Sequence, residues 1–365
     1  MPAYDAFLLV SFGGPEGPDD VMPFLRNVTR GRGIPPERLA RVAEHYDAVG
    51  GVSPINQQCR DMLAAVRADF AATGLSLPLY WGNRNWSPYL ADTVRAMAQD
   101  GVQRAVAFVT SAYSSYSSCR QYLDDIERAR AEVGHGAPEI DKIRRFFNHP
   151  GFIEPFAENA AAALAMLPAG VRDGAHLVFT AHSVPAAMAD ASGPAGGRRY
   201  VAELTEAARL ISERTDGGSH PWTLAYQSRS GPPSQPWLEP DVGDHLDELA
   251  KSGTAAVVVI PVGFVSDHME VRHDLDVEAA QRAESLGLAF ARAATPGTRP
   301  RFASMITELV RERLALPPAP ATAPAAALGA RGARGATGAT GATVALGTMG
   351  VPSQTCPAGC CLTPS

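Results

Sequence analysis

Apolar residues along this chain follow two rhythms. Six short, nearly unbroken runs have the length and composition of strands: Phe7–Phe12, Pro78–Trp81 and Arg104–Thr110, then His176–Thr180, Thr223–Gln227 and Ala255–Val262. Between them the apolar positions recur at three and four. Ile55, Cys59, Met62, Leu63, Val66 and Phe70 mark one helix face, and Tyr200, Leu204, Ala207, Ala208 and Ile211 another. Nearly continuous apolar strands alternating with helices predict parallel sheets covered on both faces. The pattern runs twice, so the reading is an α/β protein of two similar domains, 1–150 and 151–315.

The rhythm stops near residue 316. A Pro/Ala/Gly/Thr tract with almost no large side chains follows, and it cannot bury enough apolar area to offset the entropy of ordering. Residues 316–355 therefore read as a flexible linker, with a Cys-rich tail at 356–365. The GAT repeats are low complexity, not a structural repeat.

Composition narrows the classes. Of 365 residues, 45% are hydrophobic and 19% charged, as in ordinary globular proteins. The net charge of −6 leaves no basic excess for general nucleic-acid binding. No apolar run approaches the roughly 20 residues that span a bilayer, and the start lacks a signal-peptide pattern. The expectation is a soluble, cytoplasmic protein. Lys142 and Lys251 are the only lysines among 32 basic residues, a bias that suggests a high-GC genome.

In open α/β sheets ligands bind beyond the carboxyl ends of the strands. Two candidates lie there. His182 in VFTAHSVP follows a strand, where a neutral imidazole takes protons or ligates a metal near neutral pH. Glu270, Asp274 and Glu278 in MEVRHDLDVE are four apart, on one face of a predicted helix. Three carboxylates on one face repel unless something positive is near. A divalent cation such as Fe2+ or Mg2+ is one answer, and Arg272 with Arg282 is the other.

Five cysteines is an odd number, and a cytosolic chain does not build a disulfide framework. Cys356, Cys360 and Cys361 form a C-x3-C-C pattern, one ligand short of a four-thiolate site for zinc or a [2Fe–2S] cluster. Cys59 lies on the apolar helix face, whereas Cys119 lies in the polar SSYSSCRQY segment. A linker of about 40 residues reaches roughly 35 Å, enough to return the tail to the body.

Taken in order, LLVSFGGP, VGGVSPIN, FTAHSVP, YQSRSGPPSQPWLEPD and PVGFVSDHMEVRHDLD resemble the ferrochelatase family over residues 4–315. The resemblance implies two Rossmann-like, chelatase-type halves and the insertion of Fe2+, as substrate, into a porphyrin during haem synthesis. It implies His182 and Glu270 as the catalytic pair and the metal-side residues, with Asp274 and Glu278 as a relay or outer metal site. Ser53 and Tyr122 match positions that contact porphyrin propionates, and Arg30 and Arg32 are further rim donors. Some members carry a [2Fe–2S] cluster on three C-terminal cysteines and one internal cysteine, which this tail resembles, and the resemblance implies Cys119 over Cys59 as the internal ligand. There are departures: Phe12 stands where some bacterial relatives have Tyr, and His45 where some have Arg.

The absence of a membrane-facing apolar extension, with the arginine bias, points to the actinobacterial type, whose porphyrin is coproporphyrin III. Transient contact with neighbouring haem-pathway enzymes is the implied partnership. Two rivals differ in class. One is a chelatase of the same fold loading cobalt or iron into another tetrapyrrole such as sirohydrochlorin. The other is a non-catalytic porphyrin or haem carrier. Turnover of free porphyrin with anaerobic Fe2+ separates them.

Overall fold

A computed structural model describes residues 4–31, 33–194, 197–231, 234–315, 344–357 and 359–362. Eight strands form two four-stranded parallel sheets. The first contains β1 (Ala6–Ser11), β2 (Leu79–Asn83), β3 (Arg104–Val109) and β4 (Glu139–Lys142), in the order β2-β1-β3-β4. The second contains β5 (His176–His182), β6 (Trp222–Gln227), β7 (Ala256–Ile260) and β8 (Ala289–Arg292), in the order β6-β5-β7-β8. The central strands β1, β3 and β7 are buried throughout, and β5 all but its two end residues, as apolar runs between two helical layers require.

The six expected strands are all present, with small shifts at their ends. The edge strands β4 and β8 had no signal in the pattern. Each has four residues, EIDK and AFAR, and neither is buried along its length.

The halves share one core. Helices Ile55–Ala72, Pro150–Met166, Arg199–Thr215 and Pro300–Arg313 pack between the sheets, with Phe108, Phe146, Phe152 and Phe302 ring against ring. The last helix lies against the first half: Ser304 Oγ donates to Asp69 at 2.7 Å, and Arg313 reaches the Tyr4 hydroxyl at 2.8 Å and Asp141 at 3.2 Å. A separate small cluster joins the helical hairpin Pro18–Val28 and Pro36–Asp47 to Met269 of the second half.

Residues 316–343 of the expected linker lie outside the described residues. The stretch Val344–Gln354 rests on the body. Asn148 Nδ2 donates to the carbonyls of Leu346 and Gly350 at 3.2 and 2.8 Å, and Thr348 N donates to Glu206 at 3.0 Å. Beneath it, fully buried Arg144 forks onto Glu312 at 2.9 Å, donates to the Val344 carbonyl at 3.1 Å, and Glu312 also accepts from Gln354.

A buried cation that loses its carboxylate is costly. Glu312→Ala should therefore destabilise the protein by about 3 kcal/mol or more in chemical denaturation, and should speed amide exchange over 344–350. A stability close to wild type would show that the pair is not holding this junction.

Candidate active site

β5 ends on His182 because its pairing with β6 runs to the last residue, His182 opposite Gln227. The His182 carbonyl accepts from the Tyr200 hydroxyl at 2.9 Å, and Nδ1 faces the Ser183 carbonyl in a short hydrogen bond. With Nδ1 committed to that carbonyl, Nε2 is the atom turned to the cleft, 3.7 Å from Glu270 Oε2. Glu270 lies in the first turn of the short helix Met269–His273, where its backbone N–H donates to His268 Nδ1 at 3.1 Å. His268 Nε2 approaches the same carboxylate oxygen at 4.0 Å, so Glu270 sits between two imidazoles.

The charges of this group are pushed apart. Burial by itself would lower the His182 pKa, but the Glu270 carboxylate outweighs it and lifts the imidazole to about 8. Burial would raise Glu270, yet His182 and then His268 hold it at about 2. His268 is lowered, burial and His182 outweighing the pull of Glu270. The site therefore holds one imidazole that prefers a proton beside a carboxylate that stays an anion.

The expectation of a regular helix through Glu270, Asp274 and Glu278 meets a π-helical turn at Asp274–Ala279. The wider turn carries Asp274 toward Ser228 and Gln227, whose side chains donate to Asp274 Oδ2, the latter at 3.3 Å. Ser228 adopts φ +62°, in the left-handed region that costs a residue with a Cβ. Burial first, then Glu270 and Glu278, raise Asp274 to about 7 against those hydrogen bonds. Asp274 and Glu278 share a cavity of about 440 Å³ with Gln227, Ser228, Asp241 and Arg282.

The two arginines offered as counter-charges are engaged elsewhere. Arg272 pairs with Asp276 at 3.1 Å and Arg282 with Asp247 at 2.7 Å. Histidines are the near partners instead: His182 for Glu270, and His273, 3.5 Å from Glu278, which burial and His45 push toward its neutral form.

The opposite wall comes from the first half. Phe12, just past β1, is 36% exposed, and Phe24, Tyr46, Trp86 and Tyr89 continue it edge to face at 6.1–6.3 Å between centroids. Gly13 permits this turn: its φ is +83°, and a Cβ there would lie 2.8 Å from Asn83 Cβ. The helical hairpin reaches across the cleft. His45 packs its ring 3.6 Å from that of His273, and Glu270 adds to the burial that raises the Tyr46 phenol. Arg38 donates to the Ser230 carbonyl at 2.8 Å.

The expected rim residues are scattered. Ser53 is buried behind Gly14, and Arg30 is exposed at the end of the hairpin's first helix. Tyr122 is buried, its hydroxyl 3.4 Å from Thr110 Oγ1 and its ring beneath the Arg84 guanidinium at 4.6 Å. Arg84 also faces the Phe12 ring at 5.7 Å and pairs with Asp125. Arg32 lies outside the described residues. Sequence reasoning passed over His268, although its place two residues before Glu270, capping that helix, was visible in the motif.

The cysteines gather on the other side of the first sheet's loops. Cys119, in the π-helical turn Tyr116–Arg120, lies 3.7 Å from Cys356, sulfur to sulfur, and Cys360 lies 3.6 Å from Cys361. The backbone N–H of Gly193 donates to Cys361 Sγ at 3.1 Å. Cys59 is apart from them, buried in the core with its thiol donating to Ser11 at 3.2 Å. Among the described residues no group of three or more His, Cys, Asp or Glu converges as a ready site for one metal ion, and no helix is long and apolar enough to cross a membrane.

Comparison with known proteins matches residues 4–314 to the family model named Ferrochelatase. A coproporphyrin III ferrochelatase of Streptomyces coelicolor is 53% identical over 98% of this chain and 93% of its own length. That of Nocardia farcinica is 58% identical over 86% of this chain and 89% of its own. A ferrochelatase of Rhodopirellula baltica is 54% identical over 86% of this chain and 87% of its own.

The electrostatics of the pair can be read directly. In Glu270→Gln the carboxylate that does most to lift His182 is gone, and burial is opposed only by the Ser183 carbonyl and Asp274, so the imidazole should titrate clearly below about 8. NMR titration of the His182 ring checks this. A value still near 8 would mean that another anion supports it.

Proposed function

The chain belongs to the ferrochelatase family, and on that premise we propose that it inserts Fe2+ into coproporphyrin III, with His182 and Glu270 as the reacting pair. The observation that carries the reading is the separation of their affinities for protons, about 8 against about 2, on groups 3.7 Å apart. Metallation removes two protons from pyrrole nitrogens and replaces the water around Fe2+ with those nitrogens. The two tasks need different groups. An imidazole poised near neutral pH suits the proton. A carboxylate that stays ionised suits a hard divalent cation.

His182 Nε2 is therefore the proton acceptor, in its neutral form, and Glu270 the group that meets the metal. Asp274, poised at about 7, is the next acceptor, and Glu278 beside it opens that route to the 440 Å³ cavity. His268 keeps Glu270 oriented through its ring nitrogen and the Glu270 N–H. The aromatic wall around Phe12, Trp86 and Tyr89 offers a flat macrocycle an apolar surface. Arg30, Ser53 and Tyr122 belong to the propionate side in this reading, Arg30 being the exposed donor of the three. The relatives' names favour four-carboxylate coproporphyrin III over protoporphyrin IX.

The sulfur site is a second part of the proposal. Two thiolates on one tetrahedral metal, with bonds of about 2.3 Å, stand about 3.7 Å apart. The pairs Cys119–Cys356 and Cys360–Cys361 have that spacing, at 3.7 and 3.6 Å. Two such pairs fit the four-thiolate donor set of a [2Fe–2S] cluster, and the Gly193 N–H offers the hydrogen bond that a ligating sulfur accepts. A bound cluster supplies a one-electron centre. The residues of this chain hold it and fix the tail to the body.

Turnover tests the main reading. Coproporphyrin III should be metallated faster than protoporphyrin IX, and His182→Ala and Glu270→Gln should each lower kcat by about 10²-fold or more while porphyrin still binds. Because the base works unprotonated, kcat/KM should rise as pH rises through about 8. Preference for protoporphyrin IX, or near-normal kcat in either variant, would remove that part of the assignment.

Anaerobically purified protein should be reddish-brown and contain labile sulfide. Cys119→Ser should lose the colour and Cys59→Ser should keep it. A colourless wild type, reconstituted with iron and sulfide, would refute the cluster and leave the catalytic pair untouched.

A further inference from the structure

Gln227, the last residue of β6, is 1% exposed and touches both sides of the catalytic pair. Its backbone belongs to the His182 side. It stands opposite His182 in the parallel ladder, and its carbonyl accepts from Ser183 N at 2.8 Å. Its side chain belongs to the Glu270 side. Nε2 donates to the Glu270 carbonyl at 3.1 Å and to Asp274 Oδ2 at 3.3 Å.

The amide can face only one way. Turned over, Oε1 would meet the Glu270 carbonyl, acceptor against acceptor. As it stands, Oε1 is buried with no hydrogen-bond partner. A buried acceptor left unsatisfied costs stability, and an apolar side chain of the same length would avoid that cost. What the amide gives in return is its two donations, and they fall on a segment with little else to fix it. The helix Met269–His273 has five residues and runs straight into the π-helical turn, too short to hold its shape alone. The Glu270 carboxylate is half exposed, and the two imidazoles beside it stand at 3.7 and 4.0 Å, beyond ordinary hydrogen-bond length. Its place therefore follows its backbone. His268 holds the Glu270 N–H from within the same segment, whereas Gln227 ties the Glu270 carbonyl to the sheet that bears His182.

We propose that Gln227 is a positioning residue of the reacting pair: it spans from the His182 strand to the Glu270 turn and fixes how far the imidazole and the carboxylate stand apart. The inference rests on the reading of that pair above. Gln227 acts through Glu270, and Asp274 is carried on the same amide. A proton acceptor and a metal-side carboxylate serve one macrocycle only from a set separation, and a misplacement of about 1 Å is enough to slow a reaction by orders of magnitude.

The test is anaerobic steady-state metallation of coproporphyrin III with Fe2+ by the full chain. Gln227→Met keeps the length of the side chain and removes both donations. It should lower kcat about tenfold and leave the porphyrin KM within about twofold of wild type. In its crystal structure Glu270 Oε2 should stand beyond about 4 Å from His182 Nε2. Val258→Ala, a truncation in the fully buried centre of β7, is the control for general loosening: it should lower the melting temperature and keep kcat. If Gln227 acts through Glu270, adding Gln227→Met to Glu270→Gln should slow that variant further by less than about threefold.

Gln227→Asn retains an amide one methylene short of both acceptors. It keeps the inference testable if Gln227→Met fails to fold, and its kcat should fall in the same way. A kcat within about threefold of wild type in these variants, or a KM that rises as far as kcat falls, would overturn this inference alone. So would a crystal structure that keeps the 3.7 Å separation, or a double variant whose losses multiply in full. Near-normal kcat in Glu270→Gln would overturn the catalytic pair and this inference with it.

Discussion

The cleft exists because the two sheets are locked together through one shared core. A single hydrogen bond shows how tight the lock is: the buried Tyr113 hydroxyl, past the end of β3, donates to the Val262 carbonyl, past the end of β7, at 2.8 Å. The carboxyl ends of the two central strands are thereby fixed to each other. The loop to Cys119 and the acidic segment with Glu270 leave from those ends, and His182, Phe12 and Ser228 lie at the neighbouring ends of β5, β1 and β6. Gln58 of the first half accepts the Asp267 N–H at 2.8 Å and holds the start of the second half's acidic segment. Were the halves free to move, the aromatic wall around Phe12 and the His182–Glu270 pair would have no fixed separation.

Within that frame, the order of charges follows from which groups the fold neutralises and which it leaves to histidine. Arg292, at the end of β8, takes up Asp267 at 3.1 Å and also pairs with Asp276. Those two acids are structural, and they fasten the acidic segment to the second sheet. Glu270 is set against His182, a weaker, titratable cation, whereas Asp274 is held by the uncharged side chains of Ser228 and Gln227. A permanent guanidinium would hold a carboxylate ionised and also repel an incoming metal cation. An imidazole gives up its charge near neutral pH and removes that obstacle.

Much of this was legible in the residues. Buried parallel strands advertise themselves by unbroken apolar runs, and the rule that ligands gather beyond strand ends located His182 and Glu270 without a structure. The misses share a cause: no side chain encoded them locally. β4 and β8 are edge strands of four residues that become strands only because β3 and β7 present free ladders. The π-helical turn at Asp274–Ala279 has no distinguishing composition, and it redirects Asp274 toward Ser228. The hairpin Pro18–Val28 and Pro36–Asp47 reads as ordinary amphipathic helix, yet its apolar face closes on Met269 of the other half. The tail did carry a signal. Large apolar residues return at Val344, Leu346 and Met349 after a tract nearly devoid of them, and Leu346 and Met349 pack on the shared core.

The tail and the catalytic pair meet through the same scaffold. Tyr113 lies one residue before Ser114, whose N–H and hydroxyl are taken by Glu203. Tyr200, three residues before Glu203 on the helix Arg199–Thr215, packs edge to face on Tyr113 and donates to the His182 carbonyl at 2.9 Å. One helix thus places Tyr200 under the His182 carbonyl and, a turn later, Glu203 against Arg145. The acid at Glu203 is the member of that helix whose burial needs an explanation. A buried carboxylate is retained where it has a cation to hold, and Arg145 is the cation it holds. Removing either charge would leave the other buried and uncompensated, so the pair fastens the segment after β4 to the helix on which His182 leans.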